Sequence, residues 1–341
     1  MTNRATGIGS MPGTDFAEAT RIVLGEVGEL PHLVELPSRG PTASMTGRTL
    51  AMIRDLAFDL QPAGWRLTGA PGVDHRRATS LLAQDLDTTE HMAGDRRGAF
   101  KVQVAGPWTL AATVERPRGD KVLADHGARR DLAQALAEAV RAHCDDVRRR
   151  LSPTELVVQI DEPGLPAVLG GSIPTASGFH RHRSVTPPDA AQALTWVAEA
   201  ALDSGASPVL HCCAEELPLD VIRSTPVEAV SFDVSTVPES RYDDLGGWLE
   251  AGRSVWLGVV PTAPPTRSKP DGPEPTGAEL TATVLRWWSA LGYTDVESLP
   301  PTTVTPACGL AGASPQWARI ALGLCQQAAR NLSVEQGRIE P

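Results

Sequence analysis

A chain of 341 residues that is 41% hydrophobic and 21% charged has the balance of a folded, soluble protein with a sizeable core. Its net charge of −10 opposes the concentrated basic face that nucleic-acid binding requires. No apolar run reaches the roughly 20 residues of a membrane span, and the N-terminus lacks the apolar core of a signal peptide. We therefore expect a cytoplasmic protein with neither nucleic-acid nor membrane partners.

Short apolar runs alternate with stretches of helical period, and this alternation predicts an α/β fold. Eight runs have the length and composition of buried parallel strands, which favours a (β/α)8 TIM barrel over a doubly wound sheet. They are residues 5–10, 32–36, 99–106, 155–161, 208–212, 229–233, 254–260 and 302–307.

Two segments do not fit a bare barrel. Residues 60–72 are rich in turn-forming residues and predict an inserted hairpin, and the Pro-rich residues 261–277 predict a loop over the barrel mouth. Nothing marks a second domain, so residues 1–341 are interpreted as one catalytic domain. No phosphate-binding glycine motif is present, which disfavours a bound nucleotide.

The five cysteines are too few, and too oddly numbered, for a disulfide framework. Cys144 and Cys325 lie inside helical stretches, where a free thiol is usually a small buried hydrophobe. The remaining three are Cys212, Cys213 and Cys308, each near the end of a predicted strand.

The sequence PVLHCCAE predicts a metal site. Residues two apart in a strand point to the same side, so His211 and Cys213 can face one ion while Cys212 packs on the other side. Cys308 and Asp233 end two other predicted strands, and imidazole, thiolates and a carboxylate together suit tetrahedral Zn²⁺. The alternatives are a core histidine beside small thiols, and an Asp233 that caps the next helix.

A second group of candidates is acidic. The sequence QIDEP places Asp161 at the end of the fourth predicted strand, and Glu35 ends the second. At a barrel mouth two carboxylates would suit the ammonium of an amino acid whose sulfur binds the metal. The alternative is that they pair with arginines such as Arg39 or cap helices.

The ends of the first and third strands supply the remaining candidates. In the sequence IGSMPGT, Ile8, Gly9 and Ser10 offer backbone amides and a hydroxyl that could receive a carboxylate. In AGPWTL, Trp108 is either a ring on which a flat ligand stacks or half-buried packing.

These motifs, in this order, resemble the C-terminal catalytic domain of cobalamin-independent methionine synthase and its short single-domain relatives, a barrel family related to uroporphyrinogen decarboxylase. The resemblance implies Zn²⁺ held by His211, Cys213 and Cys308, with Asp233 in the place of the family's glutamate. It implies an amino-acid site that includes Ser10, Asp161 and Glu35. Trp108 matches a region that meets the folate donor in full-length enzymes.

The resemblance implies a zinc-dependent methyltransferase that methylates homocysteine to methionine, with Asp161 in the catalytic site and a methyl-folate or a methylcobalamin-carrying protein as donor. Two departures stand out. Asp233 is one methylene shorter than the family's glutamate, and LGVVPTAPP (257–265) lacks the histidine that the family uses for proton transfer. The alternatives are a non-catalytic zinc- or amino-acid-binding descendant and a uroporphyrinogen decarboxylase-like enzyme.

Overall fold

The computed structural model describes residues 3–264 and 275–339. Its nine strands are β1 (Arg4–Ala5), β2 (Ala57–Gln61), β3 (Gly64–Thr68), β4 (Phe100–Ala105), β5 (Leu156–Asp161), β6 (Ser207–His211), β7 (Ala229–Asp233), β8 (Ser254–Val260) and β9 (Thr303–Pro306). Seven of them form a parallel sheet in the order β1-β9-β8-β7-β6-β5-β4. The remaining two, β2 and β3, pair as an antiparallel hairpin.

The helices follow the strands in alternation. They are α1 (Phe16–Glu26), α2 (Met45–Met52), α3 (Val73–Ala93), α4 (Pro107–Thr113), α5 (His126–Leu151), α6 (Leu165–Leu169), α7 (Pro187–Asp203), α8 (Leu219–Ile222), α9 (Tyr242–Glu250), α10 (Gly277–Ala290) and α11 (Pro315–Glu335). Alternating helices around a parallel sheet make an α/β fold of the TIM-like type.

The helices begin where the sequence supplies capping side chains. Asp15 accepts a hydrogen bond from the backbone N–H of Glu18 at the start of α1, and Asp125 accepts one at the start of α5. A reciprocal capping box between Thr276 and Glu279 begins α10. Each cap satisfies backbone donors that the first helical turn leaves free, so the helix starts are fixed locally.

The second predicted strand, 32–36, does not form a continuous ladder. Its backbone nevertheless hydrogen-bonds on both sides: Leu33 N–H donates to the Lys101 carbonyl at 2.9 Å, and Glu35 N–H donates to the Gly9 carbonyl at 3.1 Å. Isolated parallel bridges join the same residues, His32 with Lys101 and Ser10 with Glu35. This segment therefore lies between the residues that follow β1 and strand β4.

The two predicted insertions have different outcomes. Residues 57–68 form the hairpin of β2 and β3, a few residues earlier than the predicted 60–72, because the strands start before the turn-forming residues Pro62 to Gly64. The predicted Pro-rich loop at 261–277 lies partly outside the described residues. Among the helices of residues 3–264 and 275–339, none combines the length and hydropathy that crossing a bilayer requires.

The core lies between the sheet and the surrounding helices, and every residue of β4 and β5 is buried. Several of these buried positions are polar. Lys101 and Gln103 on β4, and Gln159 and Asp161 on β5, alternate with apolar residues. Because side chains two apart in a strand share a face, these four polar groups lie on one side of the sheet, towards the interior of the fold.

Candidate metal centre

Three of the predicted metal ligands come together. One ligand atom each from His211, Cys213 and Cys308 lies within 4.8 Å of the others, and this is the group of metal-binding type found in the described residues. His211 is the last residue of β6, Cys213 follows two residues later, and Cys308 lies two residues beyond β9. The carboxyl ends of parallel strands open on the same face of a sheet, and this geometry brings together residues 95 positions apart.

The imidazole of His211 is held in place by its neighbour on β7. Its Nδ1 lies 3.0 Å from Ser231 Oγ, and the side chain is buried. Its Nε2 is also buried and has no hydrogen-bond partner among the described residues. A buried ring nitrogen without a partner is costly unless something binds it, so the site fits a metal ion.

The two thiols are in direct contact, with Cys308 Sγ 2.9 Å from Cys213 Sγ. The hydrogen bond that they share lowers the pKa of Cys308 to about 4, against the opposing effect of burial, and His211 lowers it further. The same contact raises the pKa of Cys213. The pair thus favours one thiolate even without a metal, and thiolates are the form in which cysteine binds metals.

Asp233 lies apart from this group. It ends β7, but its Oδ1 accepts hydrogen bonds from the backbone N–H of Ser235 at 2.8 Å and from the Ser235 hydroxyl at 2.7 Å. It thereby caps the 3₁₀ turn Val234–Thr236. The capping alternative is the arrangement observed, because the short aspartate side chain is occupied by its own backbone.

Cys212 differs from its neighbour in the way the strand alternation predicts. It is fully buried in the apolar core, whereas Cys213 is half-buried just beyond the carboxyl end of β6. Cys144 on α5 and Cys325 on α11 are buried as well. No disulfide joins any of the five cysteines in this structure.

Asp161 lies beside the metal group. It ends β5 and is the register partner of His211 on β6. Its Oδ1 accepts a hydrogen bond from Gln159 Nε2 at 2.7 Å. Burial raises the pKa of Asp161 to about 7, while the nearby His211 opposes that shift.

Ser10 and Glu35 lie on the other side of the group. Gly309, the residue after Cys308, approaches Ser10 so closely that a Cβ there would lie 2.1 Å from Ser10 Oγ. Glu35 pairs with Ser10 in a parallel bridge and accepts a hydrogen bond from Gln103 Nε2 at 3.2 Å. Burial raises the pKa of Glu35, and the nearby Arg48 lowers it.

The backbone just before Ser10 packs closely against the side chain of Gln103. A Cβ on Gly9 would lie 2.9 Å from Gln103 Cδ, so only glycine fits there. The carbonyl of Ile8 accepts hydrogen bonds from Lys101 Nζ and from Gln159 Nε2, each at 2.8 Å. The structure therefore brings Ile8, Gly9 and Ser10 into contact with the polar interior of the sheet.

The ring of Trp108 is buried among helices and is not exposed at the carboxyl ends of the strands. It is 3% exposed, and its Nε1 donates a hydrogen bond to the Ala190 carbonyl on α7 at 2.9 Å. The guanidinium of Arg129 on α5 lies 5.9 Å from the ring centre. Of the two alternatives that the sequence left open, the structure has Trp108 packed against α5 and α7.

Three buried polar residues were not predicted as part of the site: Lys101, Gln103 and Gln159. Their signal was present, since AFKVQVAG and ELVVQID carry polar residues at alternate positions within otherwise apolar strands. Glu162 was also overlooked as a cap: its carboxylate accepts hydrogen bonds from the backbone N–H groups of Trp108 and Thr109, each at 2.8 Å.

A cavity of about 430 Å³ lies on the same face as the metal group. Its walls come from the loops that follow β5, β6 and β7, including Leu169, Leu217, Val237 and Arg241. One of those loops begins directly after Cys213, so the cavity adjoins the chain segment that carries two of the three grouped residues.

Fold and site together define a TIM-like α/β protein with a histidine–cysteine metal group at the carboxyl ends of its strands. The family model described as "Cobalamin-independent synthase, Catalytic domain" matches residues 95–331. The chain belongs to that family, and the predicted resemblance is confirmed. A comparison with curated protein sequences found no match.

Among solved structures, the chain is similar to a B12-independent methionine synthase from Shewanella sp. W3-18-1 in complex with selenomethionine. The TM-score is 0.63 at 12% identity, and the match covers 99% of this chain and 100% of that one. A GH5_18 protein from Streptomyces cattleya gives a TM-score of 0.46 at 16% identity, covering 100% of this chain and 82% of the other. At 12% identity the likeness to the methionine synthase concerns the fold.

Proposed function

We propose that this protein is a zinc-dependent methyltransferase that methylates the thiol of homocysteine to give methionine. The observation that supports this most directly is the convergence of His211, Cys213 and Cys308 beside Asp161 and Ser10. A thiol-binding metal centre next to an anionic and a hydroxyl group is suited to an amino acid with a thiol side chain. Membership of the synthase catalytic-domain family supports the same assignment.

The architecture we propose for it is a single catalytic domain over residues 1–341, with residues 32–36 as the eighth strand of a closed barrel. The hydrogen bonds of Leu33 and Glu35 to both neighbouring segments support that closure. A cytoplasmic location remains a prediction from the sequence.

Three protein ligands suit a catalytic zinc site better than four. Catalytic zinc sites commonly keep one position for water or substrate, and Asp233 is engaged in its own cap. Zn²⁺ bound there would supply Lewis acidity that lowers the pKa of a substrate thiol and keeps it as the thiolate. His211 is held for this role by Ser231, which sets the orientation of the ring.

The chain's own groups orient the amino acid. Asp161 and Glu35 are placed to receive its ammonium, and the Ser10 hydroxyl with the neighbouring backbone is placed to receive its carboxylate. Fixing both ends of the substrate holds its sulfur at one point and lowers the entropic barrier to attack. The cavity between the loops that follow β5, β6 and β7 is where we place the methyl donor.

The donor that the sequence favours is methylcobalamin. When a folate amine loses its methyl group, the nitrogen keeps the electron pair and must take up a proton. The chain has no histidine after His211, so the proton donor of the family is missing from its place. When the methyl group leaves a corrinoid, the electron pair remains on cobalt, which is reduced from Co(III) to Co(I), and no proton is needed.

A non-catalytic binder is the second candidate, favoured by the missing histidine and by the engaged Asp233. A decarboxylase of the uroporphyrinogen type has less support, because it requires free arginines for a polycarboxylate. Arg39 and Arg48 both pair with Asp85, and Arg48 also lies 3.9 Å from Glu35.

The test is turnover of zinc-loaded protein with homocysteine and either methylcobalamin or methyltetrahydrofolate, with methionine measured by mass spectrometry. We expect methionine from methylcobalamin, and none from the Cys308→Ala variant. Homocysteine binding without methionine from either donor would contradict the enzyme assignment and establish the binding protein instead.

A further inference from the structure

Lys101 is a fully buried amine in the interior of the sheet, with none of its surface exposed. Its Nζ donates hydrogen bonds to the Ile8 carbonyl and to Gln159 Oε1, each at 2.8 Å. A buried ammonium is strongly unfavourable unless its donors are satisfied and carboxylates lie near. Burial lowers the pKa of Lys101 to about 7, and the neighbouring Asp161 and Glu35 oppose that shift.

Gln159 closes the network. Its Nε2 donates one hydrogen bond to the same Ile8 carbonyl at 2.8 Å and another to Asp161 Oδ1 at 2.7 Å. Lys101, Gln159 and Ile8 therefore form a closed triangle of hydrogen bonds, and Asp161 is attached to one corner. The amide orientation of Gln159 is fixed, because its oxygen accepts from Lys101 while its nitrogen donates twice.

The hydrogen-bonded triangle contacts both ends of the proposed amino-acid site. Ile8 leads directly into Gly9 and Ser10, the turn assigned to the substrate carboxylate. Asp161 is assigned to the substrate ammonium. A single lysine thus connects both recognition elements, although it lies on neither of the segments that carry them.

We propose that Lys101 is a positioning residue of the amino-acid site, which holds the Ser10 turn and the Asp161 carboxylate in one fixed relative geometry. The proposal rests on the proposed function, since it takes the ligand to be an α-amino acid with a thiol. Lys101 acts through Ile8 and Gln159 and itself touches no substrate.

A specific consequence separates this role from a merely structural one. If Lys101 fixes both ends of the site, its loss weakens recognition of the ammonium and of the carboxylate together. Binding of a thiol that carries neither group depends only on the metal centre and is left intact.

The experiment measures binding by calorimetry on zinc-loaded protein with four thiols. They are homocysteine, mercaptobutanoate, which lacks the amino group, mercaptopropylamine, which lacks the carboxylate, and mercaptoethanol, which lacks both. Lost hydrogen bonds to charged groups reduce affinity by roughly 10- to 100-fold, so we expect the wild type to prefer homocysteine over each analogue by that factor. In Lys101→Met, we expect both preferences to shrink to about threefold or less, with zinc content and mercaptoethanol binding unchanged.

Matched variants keep the test decisive. Lys121→Met removes a lysine that donates to the Thr113 carbonyl outside the sheet interior, and it should keep both preferences. Gln159→Met breaks the same triangle without removing the buried lysine, and it should reduce both preferences as Lys101→Met does. It provides the measurement if Lys101→Met does not fold.

A folded Lys101→Met or Gln159→Met protein that retains both preferences would overturn the positioning role and leave the proposed function intact. A wild-type protein with no preference for homocysteine would remove the proposed function, and this proposal with it.

Discussion

At the scale of single residues, the metal group depends on which of two adjacent cysteines, Cys212 or Cys213, faces the site at the carboxyl ends of the strands. Cys213 is half-buried beside Cys308, whereas Cys212 is buried in the core. The alternation of side chains along a strand was enough to predict this difference from the sequence. The cysteines should therefore respond differently to the same substitution.

Cys308→Ala and Cys213→Ala should each abolish stoichiometric zinc, because two of three ligands cannot hold the ion in competition with a chelator. Cys212→Ala is the matched control: it should retain zinc and lose about 1 kcal/mol of stability from the small cavity. Elemental analysis after dialysis against a weak chelator measures all three. Full zinc in Cys308→Ala would contradict the ligand assignment.

Asp233 gives a second prediction at this scale. Because its Oδ1 is engaged by Ser235, Asp233→Asn should retain zinc and catalytic competence, while Asp233→Ala should lose about 1 kcal/mol from the missing cap. Zinc content and urea unfolding separate the two effects. Loss of zinc in Asp233→Asn would restore the carboxylate to the ligand set that the family resemblance implied.

At the scale of elements, helix α5 carries a buried histidine. Burial lowers the pKa of His143 to about 4, and the charge of Arg48 lowers it further. Since the unfolded chain binds a proton near the ordinary pKa of about 6.5, the folded state loses stability as the pH falls from there towards 4.

We expect the free energy of unfolding to fall by about 2 kcal/mol between pH 7 and pH 5 from His143 alone. His143→Leu should reduce that slope by the same amount. Urea unfolding of both proteins at the two pH values measures it. An unchanged pH dependence in the variant would show that His143 is not buried in its neutral form.

The strands differ in how closely their bounds could be predicted from the sequence. Strands β4 to β9 were located to within one or two residues, because each is a short apolar run bounded by turn residues. The first strand was predicted at 5–10, whereas β1 of the structure covers only Arg4–Ala5. The second was predicted at 32–36, where the described residues form only isolated bridges. Pairing depends on neighbours that are distant in sequence, which no local pattern contains.

The candidate site was predictable in part for the same reason. Side chains at strand ends follow from the strand positions, so the convergence of His211, Cys213 and Cys308 could be anticipated. The direction of Trp108 depends on how α4 packs against α5 and α7, and the cap at Asp233 depends on a local turn. Neither is set by the strand pattern.

At the scale of the whole molecule, an ion pair at the amino ends of the strands lies far from the metal group at their carboxyl ends, so the two should be independent. Arg4 Nη1 and Glu155 Oε2 form an ion pair at 2.7 Å at the start of β1 and just before β5, and the metal group lies at the other end of the strands. Arg4→Ala should cost at most about 1 kcal/mol, because the pair is partly exposed. Zinc content and homocysteine affinity should not change, and a large loss of either would contradict this separation.

The central claim is that atoms far apart in the chain gather around one metal ion, and X-ray absorption at the zinc edge tests it most directly. We predict a first shell of two sulfurs and one nitrogen with a fourth, lighter ligand, and replacement of that ligand by a third sulfur when homocysteine is added. A zinc shell without sulfur, or one that does not change at saturating homocysteine, would contradict the account.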